Sequence, residues 1–331
     1  MHHTRKFYNT HAVKSVYQIN RFERIKTLNW LNGFELMCYI IVAIMLVDLF
    51  RKNDYNYIFA FGTAALVGFS MELMAVSATD IYFYNPEFWL NLGHVPKQFP
   101  LFGGFMWGGL TVYGMKLAKK LGFGKVLTAL SAGMFIVTMD ILLDVVAIRL
   151  GGGFWTWAGK PINTQITQST FMSVIWVNFL GYMIETPVVV WLILRKNERV
   201  DENNFARQTG WMFLIAFCAI IITSLGSLAA LGLNAITNDW FSCIAFIALW
   251  STMVIVILIK TCRKKLRMAP VTKWNLPMLI FWTAMYAYCI AAVVALGLHN
   301  TCPWFLAVGF LFAAATLFFA VCGDESARMR S

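Results

Sequence analysis

Residues 125–150 read KVLTALSAGMFIVTMDILLDVVAIRL, and between Lys125 and Arg149 the only charged residues are Asp140 and Asp144. A helix rises about 1.5 Å per residue, so a run of this length crosses the roughly 30 Å hydrocarbon core of a bilayer. Similar runs lie near 33–50, 57–79, 98–120, 170–195, 211–233, 240–262, 276–298 and 302–322. The pattern predicts an all-α, polytopic transmembrane helical bundle of about nine spans, with eight as the nearest alternative.

Composition agrees. Hydrophobic residues make up 59% of the 331, charged residues 13%, and the mean hydropathy is +0.65. Soluble domains carry about 25% charged residues. The expected organisation is a basic N-terminal segment (1–32), which can form an interfacial helix, one transmembrane domain (33–322), and a short tail (323–331). No cleaved signal peptide is expected. The net charge of +11 does not point to nucleic acid, because the basic residues sit in short runs at the ends of apolar segments. The seven cysteines are scattered, form no CxxC pair, and imply neither a disulfide framework nor a metal site. The chain is expected in the cell (inner) membrane.

Orientation follows the Lys/Arg bias. Basic turns follow the third run (Lys116, Lys119, Lys120, Lys125), the fifth (Arg195, Lys196, Arg199, Arg207) and the seventh (Lys260, Arg263, Lys264, Lys265, Arg267, Lys273). These define the cytoplasmic side. Nine spans then put the basic N-terminus on the opposite side. Either that segment lies on the membrane or one early run does not cross.

Acids inside spans cost about 2.5–3.5 kcal/mol each on insertion scales and so require a reason. The second run holds Glu72, the fourth Asp140 and Asp144, and the fifth Asn178 and Glu185. Counted along the runs, Glu72, Asp140, Asp144 and Asn178 fall at one level in the outer half. Asp140 and Asp144 are four apart and share a helical face. A plainer account makes the acids structural, with Arg149 pairing Asp144 or Glu72. Glu185 lies deeper and precedes Pro187, so it serves either a ligand or the distorted backbone there.

Aromatic residues flank the same level: Tyr82, Tyr84, Trp89, Trp107, Trp155 and Trp157. Interfacial belts explain most such residues. The alternating Tyr82/Tyr84 and Trp155/Trp157 pairs, however, put their rings on one side of short extended segments. Desolvation disfavours the charged form of a carboxyl group, so an acid in such a cavity can donate a proton near neutral pH. Aromatic faces attract cations. Together these parts suit carbocation chemistry.

The ordered set Glu72, Tyr82-Phe-Tyr84, Val95-Pro96, Trp107, Asp140-Ile-Leu-Leu-Asp144, Gly153-Phe-Trp155-Thr-Trp157 and Asn178-Phe179-Leu-Gly181 resembles carotenoid biosynthesis membrane proteins. The family is that of bisanhydrobacterioruberin hydratase and the carotenoid 1,2-hydratases. The likeness spans roughly residues 70–185. Val145 and Tyr182 stand where the family has Pro and Trp. The resemblance implies acid-catalysed addition of water to a terminal isoprenoid double bond, with no redox cofactor. No metal is expected, because of the five histidines only His94 lies near the acids. Asp140 or Asp144 would donate the proton, with Glu72 as partner or water-orienting base and Asn178 bonded to the acids. Tyr82, Tyr84, Trp107, Trp155 and Trp157 would bind the polyene end, joined by Phe179 and Glu185. The implied partners are a lipophilic isoprenoid and membrane lipid. A terpene cyclase needs the same parts. A proton-coupled transporter or a non-catalytic membrane scaffold are the rival classes. The catalytic half is expected at 57–195, with the later runs as scaffold.

Overall fold

The computed structural model describes residues 29–322 except 79, 81 and 158. The basic segment before residue 29 and the tail after 322 lie outside the described residues. Apolar runs between basic turns fold into nine helices of 19 residues or more among the described residues. They are α1 (Trp30–Arg51), α2 (Tyr55–Ala78), α3 (Leu101–Lys120), α4 (Lys125–Ala147), α5 (Trp176–Asn197), α6 (Phe205–Thr237), α7 (Trp240–Lys264), α8 (Leu276–Ala295) and, after the four-residue α9 (Leu298–Thr301), α10 (Pro303–Val321). Eight are long and apolar enough to cross a membrane. The chain is therefore an integral membrane protein with an all-helical bundle.

The helix outside those eight is α3. Its hydropathy is diluted by Gly103, Gly104, Gly108, Gly109 and Gly114 and by three lysines, yet most of it is buried between its neighbours. The glycines explain how. A methyl group at Gly104 would lie 2.4 Å from Phe69, and one at Gly108 would lie 2.6 Å from Phe61. From the other side, Gly68 of α2 seats Trp107. Rings of one helix thus fill notches of the other, the close approach that small residues spaced four apart allow between membrane helices. Helix α4 is the centre of the bundle, buried almost continuously from Thr128 to Ala147.

Caps set several boundaries. Asn29, Asn204 and Asn275 accept hydrogen bonds from the backbone N–H three residues on, at the starts of α1, α6 and α8. The fifth apolar run begins later than its hydropathy predicts. Residues 170–175 form a hairpin, β5 (Thr170–Phe171) with β6 (Val174–Ile175), turned by Met172 and Ser173 at φ 48° and 74°. Asn178 is therefore the third residue of α5 and not a third of the way along a span. The polar level is shallower than expected.

The connections on the lightly charged side form a cap. Strand β1 (Tyr82–Tyr84) pairs antiparallel with β4 (Trp155–Trp157), and β2 (Asn91–Leu92) with β3 (Phe99–Pro100). Gly151, Gly152 and Gly153 turn the chain into β4 at φ 55°, 82° and 98°, values that L side chains avoid. The start of α1 is fastened to this cap. Asn32 Nδ2 donates to the Glu87 carbonyl at 3.3 Å. Glu35, fully buried, accepts from the amides of Trp89 and Leu90 at 2.7 and 3.0 Å. Helix α1 thus begins on the side opposite the basic turns, and both early runs form full-length helices.

Glu35 sits in the first apolar run, where hydropathy alone passes over it. Glu35→Leu leaves the two amides without an acceptor, at a cost of about 1–3 kcal/mol. Hydrogen exchange should quicken at Trp89 and Leu90 and stay unchanged along α4. Equal protection in the variant would mean the carboxylate is not what holds the cap.

Candidate active site

The predicted residues meet. A cavity of about 270 Å³ lies under the cap, between α2, α3, α4, α5 and α6. Its lining includes Glu72, Tyr82, Tyr84, Trp107, Asp140, Asp144, Trp155, Trp157, Asn178 and Glu185. Of the residues expected at the site, Phe179 is not brought in. Adjacent positions on a helix point about 100° apart, and Phe179 is turned away to pack with Trp176 and Phe246. The cavity also draws on residues outside 57–195. Phe34 of α1, Ser227 and Leu231 of α6 and Met285 of α8 complete the wall.

Two of the acids are held by donors on both oxygens. Tyr84 Oη donates to Glu72 Oε2 at 2.8 Å, and Trp107 Nε1 points at Glu72 Oε1 at 3.4 Å. Trp155 Nε1 donates to Asp144 Oδ1 at 2.8 Å, and Asn178 Nδ2 to Asp144 Oδ2 at 2.5 Å. Asp140 differs. It is 2% exposed, faces Asp144 across one helical turn, and its Oδ2 has no hydrogen-bond partner. Glu185, 7% exposed, likewise keeps Oε1 unpartnered, two turns below Asn178 on α5.

Among the described residues, the cavity wall contains no Lys, Arg or His. Arg149 does not pair with Asp144 or Glu72. Its guanidinium donates to the carbonyls of Val145, Asn163 and Met172 and so ties the end of α4 to the cap. The reading of the acids as partners of that arginine is thereby set aside.

The period-2 aromatics behave as their spacing predicts. Tyr82 is opposite Trp157 and Tyr84 opposite Trp155 in the β1–β4 ladder. The first pair stacks at 4.4 Å between centroids and the second meets edge to face at 5.9 Å. Tyr82 Oη donates to Tyr84 Oη at 2.9 Å, continuing the chain to Glu72. Burial, followed by the nearby Glu72 carboxyl, pushes both phenols well above their ordinary value, so they remain protonated donors.

One wall residue was legible only as a departure from the family pattern. Tyr182 stacks on Trp107 at 4.9 Å with planes 20° apart, and lies against Asp140. It is four residues after Asn178, on the same face of α5, which was the available signal.

No family model, curated protein or solved structure matches the chain. Fold and cavity therefore define the class by themselves: a polytopic helical membrane protein with a buried, acid-bearing cavity walled by aromatic rings.

Proposed function

We propose that this protein is a membrane-embedded acid catalyst that adds water across a terminal double bond of an acyclic isoprenoid, as the resemblance to carotenoid hydratases implies. One observation carries the reading. Glu72, Asp140, Asp144 and Asn178, from three helices, line a single ring-walled cavity with no basic side chain among its described wall residues. Paired acids without a cation need a different reason to be buried, and proton transfer supplies it.

The hydrogen bonds suggest the roles. Asp144 and Glu72 each accept two donors, the arrangement of a held carboxylate. Asp140, with a bare oxygen, carries the proton. It passes to the CH carbon of the terminal double bond; the π bond breaks, a C–H bond forms, and positive charge develops on the neighbouring dimethyl-substituted, tertiary carbon. The faces of Trp107, Tyr182, Tyr82 and Trp157 stabilise that charge, each by about 0.5–2 kcal/mol. Water adds through oxygen, and the proton it releases goes to Glu72 and is returned to the aspartate pair. The sum is alkene plus water giving a tertiary alcohol.

Expression in a host making lycopene or another acyclic isoprenoid tests this. Extracted lipids should contain a product heavier by one water. A new isomer of unchanged mass identifies a cyclase, in which a second double bond takes the place of water. No new product from several acyclic isoprenoids overturns both readings.

A further inference from the structure

The cap closes the cavity toward water. The Asn85 amide donates to the Phe154 carbonyl at 2.9 Å and its side chain to the Gly153 carbonyl at 2.9 Å. Gln98 Nε2 donates to the Tyr84 carbonyl at 2.6 Å. Tyr82, Tyr84 and Trp155 are buried beneath these ties. A ligand entering from this side would have to break the β1–β4 ladder.

The flank between α2 and α6 is different. The two helices meet where Met212 fills the notch at Gly62, and again where Ser224 Oγ approaches Met71 Sδ at 3.7 Å. Beyond that contact, toward the cap, the residues lining the cavity are small or turned outward: Ala75 on α2, Ser227 and Leu231 on α6. Leu231 is 47% exposed, and Met74, Leu225 and Leu228 beside it are exposed as well. On α5, behind this gap, Gly181 also lines the cavity, and a methyl group added there would meet nothing within 4 Å. The open side of the cavity thus faces the lipid-facing flank of α6. Its volume of about 270 Å³ is at or below the small end of the roughly 300–1,000 Å³ usual for ligand pockets. It suits the end of a long chain and not the whole.

We infer that the cavity is filled from the bilayer, through a portal between the cap-side ends of α2 and α6, by one end of a long hydrocarbon chain whose remainder lies along α6 in the lipid. The inference rests on the proposed function for the isoprenoid nature of the chain, and not for the reaction. An apolar tail in lipid loses nothing by staying there, so only the reacting end has to be desolvated by protein.

Photolabelling of the full chain in phosphatidylcholine vesicles tests the portal. The probe is geranylgeraniol carrying a diazirine midway along its chain, with adducts mapped by mass. Adducts are expected on 71–78 of α2 and 225–233 of α6, competed by unlabelled geranylgeraniol. Gly181→Leu fills empty space and replaces a helix-interior glycine, so it should fold. It should cut those adducts about tenfold, the equivalent of about 1.4 kcal/mol of binding. Adducts concentrated in the cap segments 82–100 and 153–175, labelling that Gly181→Leu leaves untouched, or no competed labelling at all would each overturn the portal. Labelling at α2 and α6 without any hydrated or cyclised product removes the reaction and leaves the portal. Product formation with adducts only in the cap does the reverse.

Discussion

Asp140→Asn should lower product formation by about 10²–10⁴-fold, the usual contribution of a general acid, with little change in stability. The amide keeps the shape of the acid but cannot give up a proton on the reaction timescale. Only Oδ2 of Asp140 lacks a partner, so the amide can turn its carbonyl oxygen into that position and its NH₂ toward Asp144, and no donor is left facing a donor. Asp144→Asn should behave differently. Both of its oxygens accept hydrogen bonds, from Trp155 and Asn178. An amide NH₂ would confront one of those donors, a loss of about 1–3 kcal/mol of stability in addition to the loss of turnover. Unfolding midpoints in detergent, measured beside product yield, separate the two variants. An Asp140→Asn protein with wild-type yield would remove the acid assignment.

Gly68→Ala should cost about 1–3 kcal/mol, the usual penalty of overpacking, and should impair the site with it. A Cβ at Gly68 would lie 2.4 Å from Trp107 Cβ and Cγ. The indole cannot simply retreat, because its far face is stacked on Tyr182 at 4.9 Å and its Nε1 points at Glu72 at 3.4 Å. Either α2 and α3 separate, or Trp107 leaves the cavity wall. Gly210→Ala is the control. It lies exposed on α6 with nothing within 4 Å of the added methyl, and helix propensity favours alanine there. The measurement is again the unfolding midpoint in detergent. Equal midpoints for Gly68→Ala and Gly210→Ala would show that the notch does not position the ring.

Parts of this site could be read along the chain because they repeat locally. The i,i+4 pair Asp140/Asp144 must share a face of any helix that contains both. The Tyr82/Tyr84 and Trp155/Trp157 alternations must put their rings on one side of any strand. Depth is not legible because a mostly apolar hairpin, 170–175, has the hydropathy of a span. Phe179 follows Asn178 in sequence, but one helical step separates their directions. Glu35 was hidden because its partners, the amides of Trp89 and Leu90, lie 54 and 55 residues away.

Apolar run lengths, basic turns and buried acids are properties of neighbouring residues, and they determined a polytopic membrane bundle with charge confined to a few spans. Which acid is bare, that Arg149 is spent on carbonyls, and that α6 supplies the open wall of the cavity were decided only by tertiary structure. The reason is physical. A hydrogen bond or a cavity wall depends on what another helix presents at that height, and no periodicity in one segment carries that information.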